Sequence, residues 1–230
     1  MHYFLTYSGN ERNDGCPRWA EVSYPLVDND VDLERQYYVG NNTILKNMEG
    51  SEILFDEKFI DFDYFDQYKD IIIVSEKFVH LLQDLKCDFS CASVTIKTMD
   101  NKRRYINSVR KKYFVLMINK RINCIDYENS EYCVRRDADG KIIYNEVSGE
   151  PEIKYLYQMA VDESRTFGEP IFYSKDFKSN GKPICSDKFC MKFSKLDFKG
   201  IYLKPTIFDV MDYPDFKRDK WVIDKITLNP

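Results

Sequence analysis

Apolar positions along this chain fall into runs that change period. Ile71, Ile72, Ile73 and Val74 are four β-branched residues in succession, followed by Ser75-Glu76-Lys77-Phe78 and then Leu81, Leu82 and Leu85. The β-branched run predicts a buried strand, whereas Phe78, Leu81, Leu82 and Leu85 recur at helical spacing and make one apolar face. Ser75 stands where an N-cap oxygen would take an orphan amide, and Glu76 suits the positive end of a helix. The reading is a strand that runs directly into an amphipathic helix.

The same phrase returns near the other end. Ser186-Asp187-Lys188-Phe189 repeats Ser75-Glu76-Lys77-Phe78, Phe193 takes the place of Leu82, and Leu196 stands where Leu85 stood. A strand-like run, Ile201 to Leu203, follows after Gly200. Capped amphipathic helices are common, but the shared tetrapeptide and the matched leucine predict an internal repeat of a strand/capped-helix unit.

Between and around these units the periodicity is mostly that of strands. Tyr3 to Tyr7, Gln36 to Val39, Glu52 to Phe55, Ser93 to Lys97, Ile153 to Val161, Ile171 to Tyr173 and Trp221 to Leu228 read as strands, and Tyr113 to Ile118 as a central one. Tyr132 to Val134 and Ile142 to Tyr144 flank Asp137-Ala138-Asp139-Gly140, a hairpin signal. Asp100-Asn101 reads as a turn. The expected fold class is α+β, with mixed or mostly antiparallel sheets and a few packed helices. Residues 1–60 read as a strand-rich segment packed on a main body of residues 61–230, in one compact body overall.

Composition narrows the function classes. The chain has 230 residues, 43% hydrophobic and 31% charged, which is an ordinary globular balance with enough length for a substantial core. Aromatics reach 15% while there are only 9 glycines, a balance that leans towards sheet and interface rather than loop-built phosphate sites. A formal charge of −4 argues against nucleic acid, although Lys102 to Arg104 and Arg110 to Lys112 form two basic clusters. No window is apolar enough to cross a bilayer, and the seven cysteines, an odd number, read as reduced thiols in a cytoplasmic protein.

The chemistry an enzyme would need is thin. There are two histidines, of which His2 is terminal and His80 reads as a helix-surface or boundary residue. No dinucleotide, P-loop, nucleophile-elbow or zincin motif is present, and Pro183 removes an amide that a phosphate loop at Gly181-Lys182 would use. Cys87, Cys91, Cys185 and Cys190 lack the tight knuckle spacing of a zinc site. Asp61, Asp63 and Asp66 lack the glycine and terminal glutamate of a calcium loop. No catalytic residue, cofactor or metal is assigned on these grounds.

The oddest composition lies between Phe55 and Tyr68, where aromatics and acids interleave. Two readings fit it: an element with a core face and a wet face, or an exposed aromatic docking surface among carboxylates.

Taken in order, several segments resemble the large immunity-protein family of bacterial polymorphic-toxin systems, formerly a domain of unknown function. They are Ile72 to Leu85, Tyr113 to Asn119 with Cys124-Ile125-Asp126, Pro170 to Tyr173, and Cys185 to Pro205. The resemblance spans residues 61–205 and is one of apolar order; Ile118 before Asn119 and the closing Ile201-Tyr202-Leu203 depart from the usual pattern. It implies a non-enzymatic antitoxin that neutralises a cognate toxin by direct contact. The candidate partner-binding residues are Asp61, Phe62, Asp63, Tyr64, Asp66 and Tyr68, and then Asp28, Asp30 and Asp32. An acidic surface of this kind would steer the protein onto a basic partner. The alternative is an intracellular enzyme or accessory subunit with a site of scattered carboxylates and tyrosines.

Overall fold

The computed structural model describes residues 1–7, 43–55, 59–68, 71–99, 105–144, 149, 151–175 and 182–206. The run of β-branched residues forms strand β4 (Ile71–Ser75), buried along its whole length. It passes without a linker into helix α2 (Glu76–Asp84), whose first turn is closed by the Phe78 amide donating to Ser75 Oγ at 3.3 Å. Phe78, Leu81, Leu82 and Leu85 are all buried, as the helical spacing predicted.

Strand β4 sits inside a six-stranded sheet. Its neighbours are β3 (Tyr64–Tyr68) and β7 (Tyr113–Ile118), and the order continues through β5 (Phe89–Met99) to β2 (Ser51–Phe55), with β6 (Tyr105–Ser108) also paired to β5. All pairings are antiparallel except β2 with β5. Helix α1 (Thr43–Met48) brings the buried Leu45 and Met48 into the same core.

The second unit forms a second sheet. After the short helix α3 (Glu163–Thr166), strand β12 (Ile184–Ser186) enters helix α4 (Asp187–Phe193) directly, with Ser186 at the N-cap position but no side-chain hydrogen bond closing the turn. The strand order is β13 (Ile201–Pro205), β1 (His2–Tyr7), β12, β11 (Ile171–Ser174) and β8 (Arg121–Ile122). The two units share a plan: β3-β4-β7-β5 in one and β11-β12-β1-β13 in the other, with antiparallel neighbours throughout. Registers match as well. Ser75 lies opposite Tyr113 as Ser186 lies opposite His2, and Val74 opposite Tyr64 as Cys185 opposite Ile171. The expected repeat is therefore present, with its copies in two sheets. In the first copy the third strand follows the unit in sequence; in the second it is the N-terminal strand β1.

The second sheet is buried on two sides at its centre, which explains why β11 reads as an unbroken apolar run. Phe4, Ile184 and Phe172 lie across one another in register and belong to the smaller core. Leu5, Cys185 and Ile171 belong to the larger one shared with the first sheet. Under the smaller core lies a ladder of β9 (Glu131–Val134) with β10 (Ile153–Gln158). The expected hairpin turn is present, with Gly140 at φ 80°, Arg136 paired antiparallel with Ile142, and the Ile143 and Asp137 amides donating to the Arg135 and Lys141 carbonyls. Its pairing does not extend to Tyr132–Val134 as expected. The ladder partner of β9 is β10 because Tyr132, Val134 and Leu156 meet there over the core.

The expected strands at Gln36–Val39 and Trp221–Leu228, the turn at Asp100-Asn101 and the basic cluster Lys102–Arg104 fall outside the described residues.

Candidate functional site

The acidic-aromatic segment lies where the two units meet. Phe62, Asp63, Tyr64 and Phe65 are buried, while Asp61 and Asp66 are half-buried. The core-face reading of this stretch is thus the one that describes Phe62 and Tyr64. Phe62 packs on Tyr113 with ring centroids 4.7 Å apart, and Tyr64 packs on Phe78 at 5.7 Å. As side chains sealed in a core they offer a partner no ring. The side chain of Tyr68, together with Asp28, Asp30 and Asp32, lies outside the described residues.

Asp63 is the centre of a polar knot. Its Oδ1 accepts from Ser75 Oγ at 2.5 Å and lies 2.8 Å from Lys111 Nζ. Its Oδ2 accepts from the Lys199 amide at 2.9 Å, its own amide donates to the Lys199 carbonyl, and its carbonyl accepts from the Ser75 amide. One carboxylate thereby joins the N-cap of α2, the residues before β7 and the turn before β13. Asp61 extends the knot, accepting from Lys111 at 3.0 Å and from Lys199. A buried carboxylate is tolerable only when its oxygens are satisfied in this way.

The knot predicts an acid response. Partial burial pushes the Asp61 carboxyl up, but the hydrogen bonds from Lys199 and Lys111 outweigh it and hold the group below its ordinary value. The folded value is therefore the lower one. Its contribution is complete above about pH 4, the ordinary carboxylate value, and is lost as pH falls through the folded value. Urea midpoints at pH 7 and pH 3 should fall less for Asp61→Asn than for the parent chain; equal falls would remove Asp61 from the acid response.

The cysteines expected to be reduced are free thiols at the described positions. Burial pushes Cys87 up to about 12 and Cys190 up to about 11, and holds Cys185 well above its ordinary value. Thiols so raised are poor nucleophiles and poor ligands at neutral pH. Maleimide at pH 7.5 should leave these three unmodified in the folded chain; rapid labelling of Cys185 would contradict its burial. Among the described residues no group of three or more His, Cys, Asp or Glu is arranged to hold a metal.

Phe59, within the acidic-aromatic segment, is 62% exposed, and further exposed apolar side chains lie elsewhere. Phe167 is 86% exposed and sits at φ 52°, a left-handed conformation that costs a residue with a Cβ about 1–2 kcal/mol. Phe167→Gly should raise stability in urea by about 1 kcal/mol; a loss would show that the ring is held by packing. On α4, Met191 and then Leu196 beyond it are 62% and 40% exposed. They stand among Lys188, Lys192 and Lys195, all exposed. The sequence carries a signal for this face, since these lysines occupy one helical stripe.

The profile of one family, immunity protein 43, matches residues 53–216. The match covers both strand/capped-helix units and the whole knot. No curated protein matches the chain.

Proposed function

The chain belongs to the immunity protein 43 family, and on that premise we propose that it is an antitoxin that neutralises a cognate toxin by direct protein contact. The observation that carries this is the family match, which runs through both units. The reading is non-enzymatic: a blocking protein needs a complementary surface of roughly 800 Å² with a few anchors, and no reacting groups of its own. It places the protein in a polymorphic-toxin system and in the cytoplasm beside the toxin it restrains. Among the described residues no helix is long and apolar enough to cross a membrane. The acidic positions Asp66, Asp28, Asp30 and Asp32 are one candidate contact surface, which would suit a basic partner and is tested against another below.

Co-expression with the toxin encoded by the adjacent gene tests this reading. A stoichiometric complex on size-exclusion chromatography, with rescue of growth from an otherwise lethal neighbour, is the expected result. Growth arrest unrelieved by the protein, with no complex formed, would refute it.

A further inference from the structure

We propose that the exposed stripe of α4 is a docking face for an acidic protein surface, and that this surface belongs to the toxin. The proposal rests on the immunity reading above and adds where contact is made and what charge the partner carries.

Lys188, Met191, Lys192 and Lys195 are spaced i, i+3, i+4 and i+7, so they line one side of the helix and its following turn over about 10 Å. All four are exposed, while Phe189 on the other side is sealed in the core. Leu196 adds apolar surface at the far end. Lys188 and Lys195 have no ion-pair partner among the described residues, and Lys192 reaches only the Asp84 carbonyl at 3.4 Å. An apolar centre with unneutralised cations around it is the complement of a carboxylate-rimmed apolar patch.

The internal repeat shows that the fold does not require this stripe. At the matched positions α2 carries Lys77, His80, Leu81 and Asp84. There Leu81 is buried, and the Lys77 ammonium is engaged by the Asp197 carbonyl and the Phe198 ring. Leu85 is buried where its counterpart Leu196 is exposed. Both helices retain the serine, lysine and phenylalanine that build the unit. The second helix alone places Lys192 and Lys195 beside an exposed methionine, where the first has Leu81, Asp84 and His80.

Other occupants fit less well. A two-fold dimer through this face would set lysines against lysines. Nucleic acid would meet a chain of net charge −4.

The test is titration of the adjacent-gene toxin, catalytically inactivated, against the parent chain, the Lys188→Glu/Lys192→Glu/Lys195→Glu variant, Met191→Asp and Asp66→Lys. The helix substitutions are at exposed positions and Asp66 is half-buried, so circular dichroism checks the fold of each variant. The expected result is tight binding by the parent that weakens with salt. The triple variant should bind about 100-fold more weakly, Met191→Asp about tenfold more weakly, and Asp66→Lys unchanged. Binding of the triple variant and of Met191→Asp within threefold of the parent overturns the docking face and leaves the immunity reading standing. So does loss on Asp66→Lys with the triple variant unaffected, which returns recognition to the acidic segment. No binding by the parent overturns both. A parent dimer that the triple variant dissolves, or duplex DNA bound more tightly than the toxin, overturns the proposal in favour of that occupant.

Discussion

Asp63→Ala is expected to destabilise the chain by about 3–5 kcal/mol, among the largest effects of any single substitution in it. The carboxylate is 2% exposed and is shared by Ser75 Oγ, the Lys199 amide and Lys111 Nζ. Removing it leaves the buried Ser75 hydroxyl and the part-buried Lys199 amide without their acceptor, while Lys111 loses one of its two carboxylates and keeps Asp61. Several interactions end on one side chain, which is why one deletion costs more than one hydrogen bond. Asp63→Asn keeps an acceptor for the hydroxyl but not the charge for Lys111, so its cost should lie between that of alanine and zero. Urea denaturation with unchanged slope measures both. A loss under about 1 kcal/mol for alanine would mean that the knot is relaxed or hydrated in solution. The substitution also separates structure from recognition. A toxin-binding defect in Asp63→Ala should follow the fraction unfolded and vanish at low temperature in stabilising osmolyte.

Phe78→Ala is expected to cost about 3–5 kcal/mol as well, through a cavity rather than a lost charge. The Phe78 ring is fully buried and touches Tyr64, Phe189 and Phe198, with centroids 5.7 to 6.2 Å apart. Phe189 occupies the matched position of the second unit and is equally buried. The residues that anchor each helix to its own sheet are thus also the ones that hold the two helices together. A double-mutant cycle on Phe78 and Phe189 should therefore give a coupling of about 0.5–1.5 kcal/mol. Phe193→Ala, at a half-buried ring stacked on Phe198, should cost distinctly less. Additive losses at Phe78 and Phe189 would show that the units are stabilised separately. A single unfolding transition in the parent chain, followed by both fluorescence and circular dichroism, is the companion expectation for two sheets that share one core.

Much of the architecture was legible in residue order alone, for physical reasons. Four β-branched residues followed by a serine and leucines at helical spacing leave little choice but a buried strand and a capped helix, because each step is a local preference that agrees with the next. The same local grammar exposed the repeat, since Ser186 to Phe189 spells Ser75 to Phe78 again, although Ser186 Oγ donates to the Pro170 carbonyl and closes no turn as Ser75 Oγ does. Local grammar could not say that the strand completing the second copy is β1. That pairing joins His2 to Ser186 across nearly the whole chain, and nothing in either segment names the other. Nor could it tell which ladder would claim β9, where the turn formed but the packing of Leu156 gave the strand β10 as its partner.

The acidic segment shows the same division at the level of single residues. Charge patterning places an aspartate in water by default, because burying a carboxylate costs far more than any local preference returns. Asp63 is buried because the Lys199 amide, 136 residues along, and the Lys111 ammonium arrive to satisfy it, and only the folded chain brings them there. The sequence by itself determined the central strand, the helix capped by Ser75 and the existence of two like units, all of which rest on neighbours within a few residues. The tertiary structure decided which carboxylates are internal, how the two units are closed and which helix face is left open to a partner, because those outcomes depend on contacts between residues that are far apart in the chain.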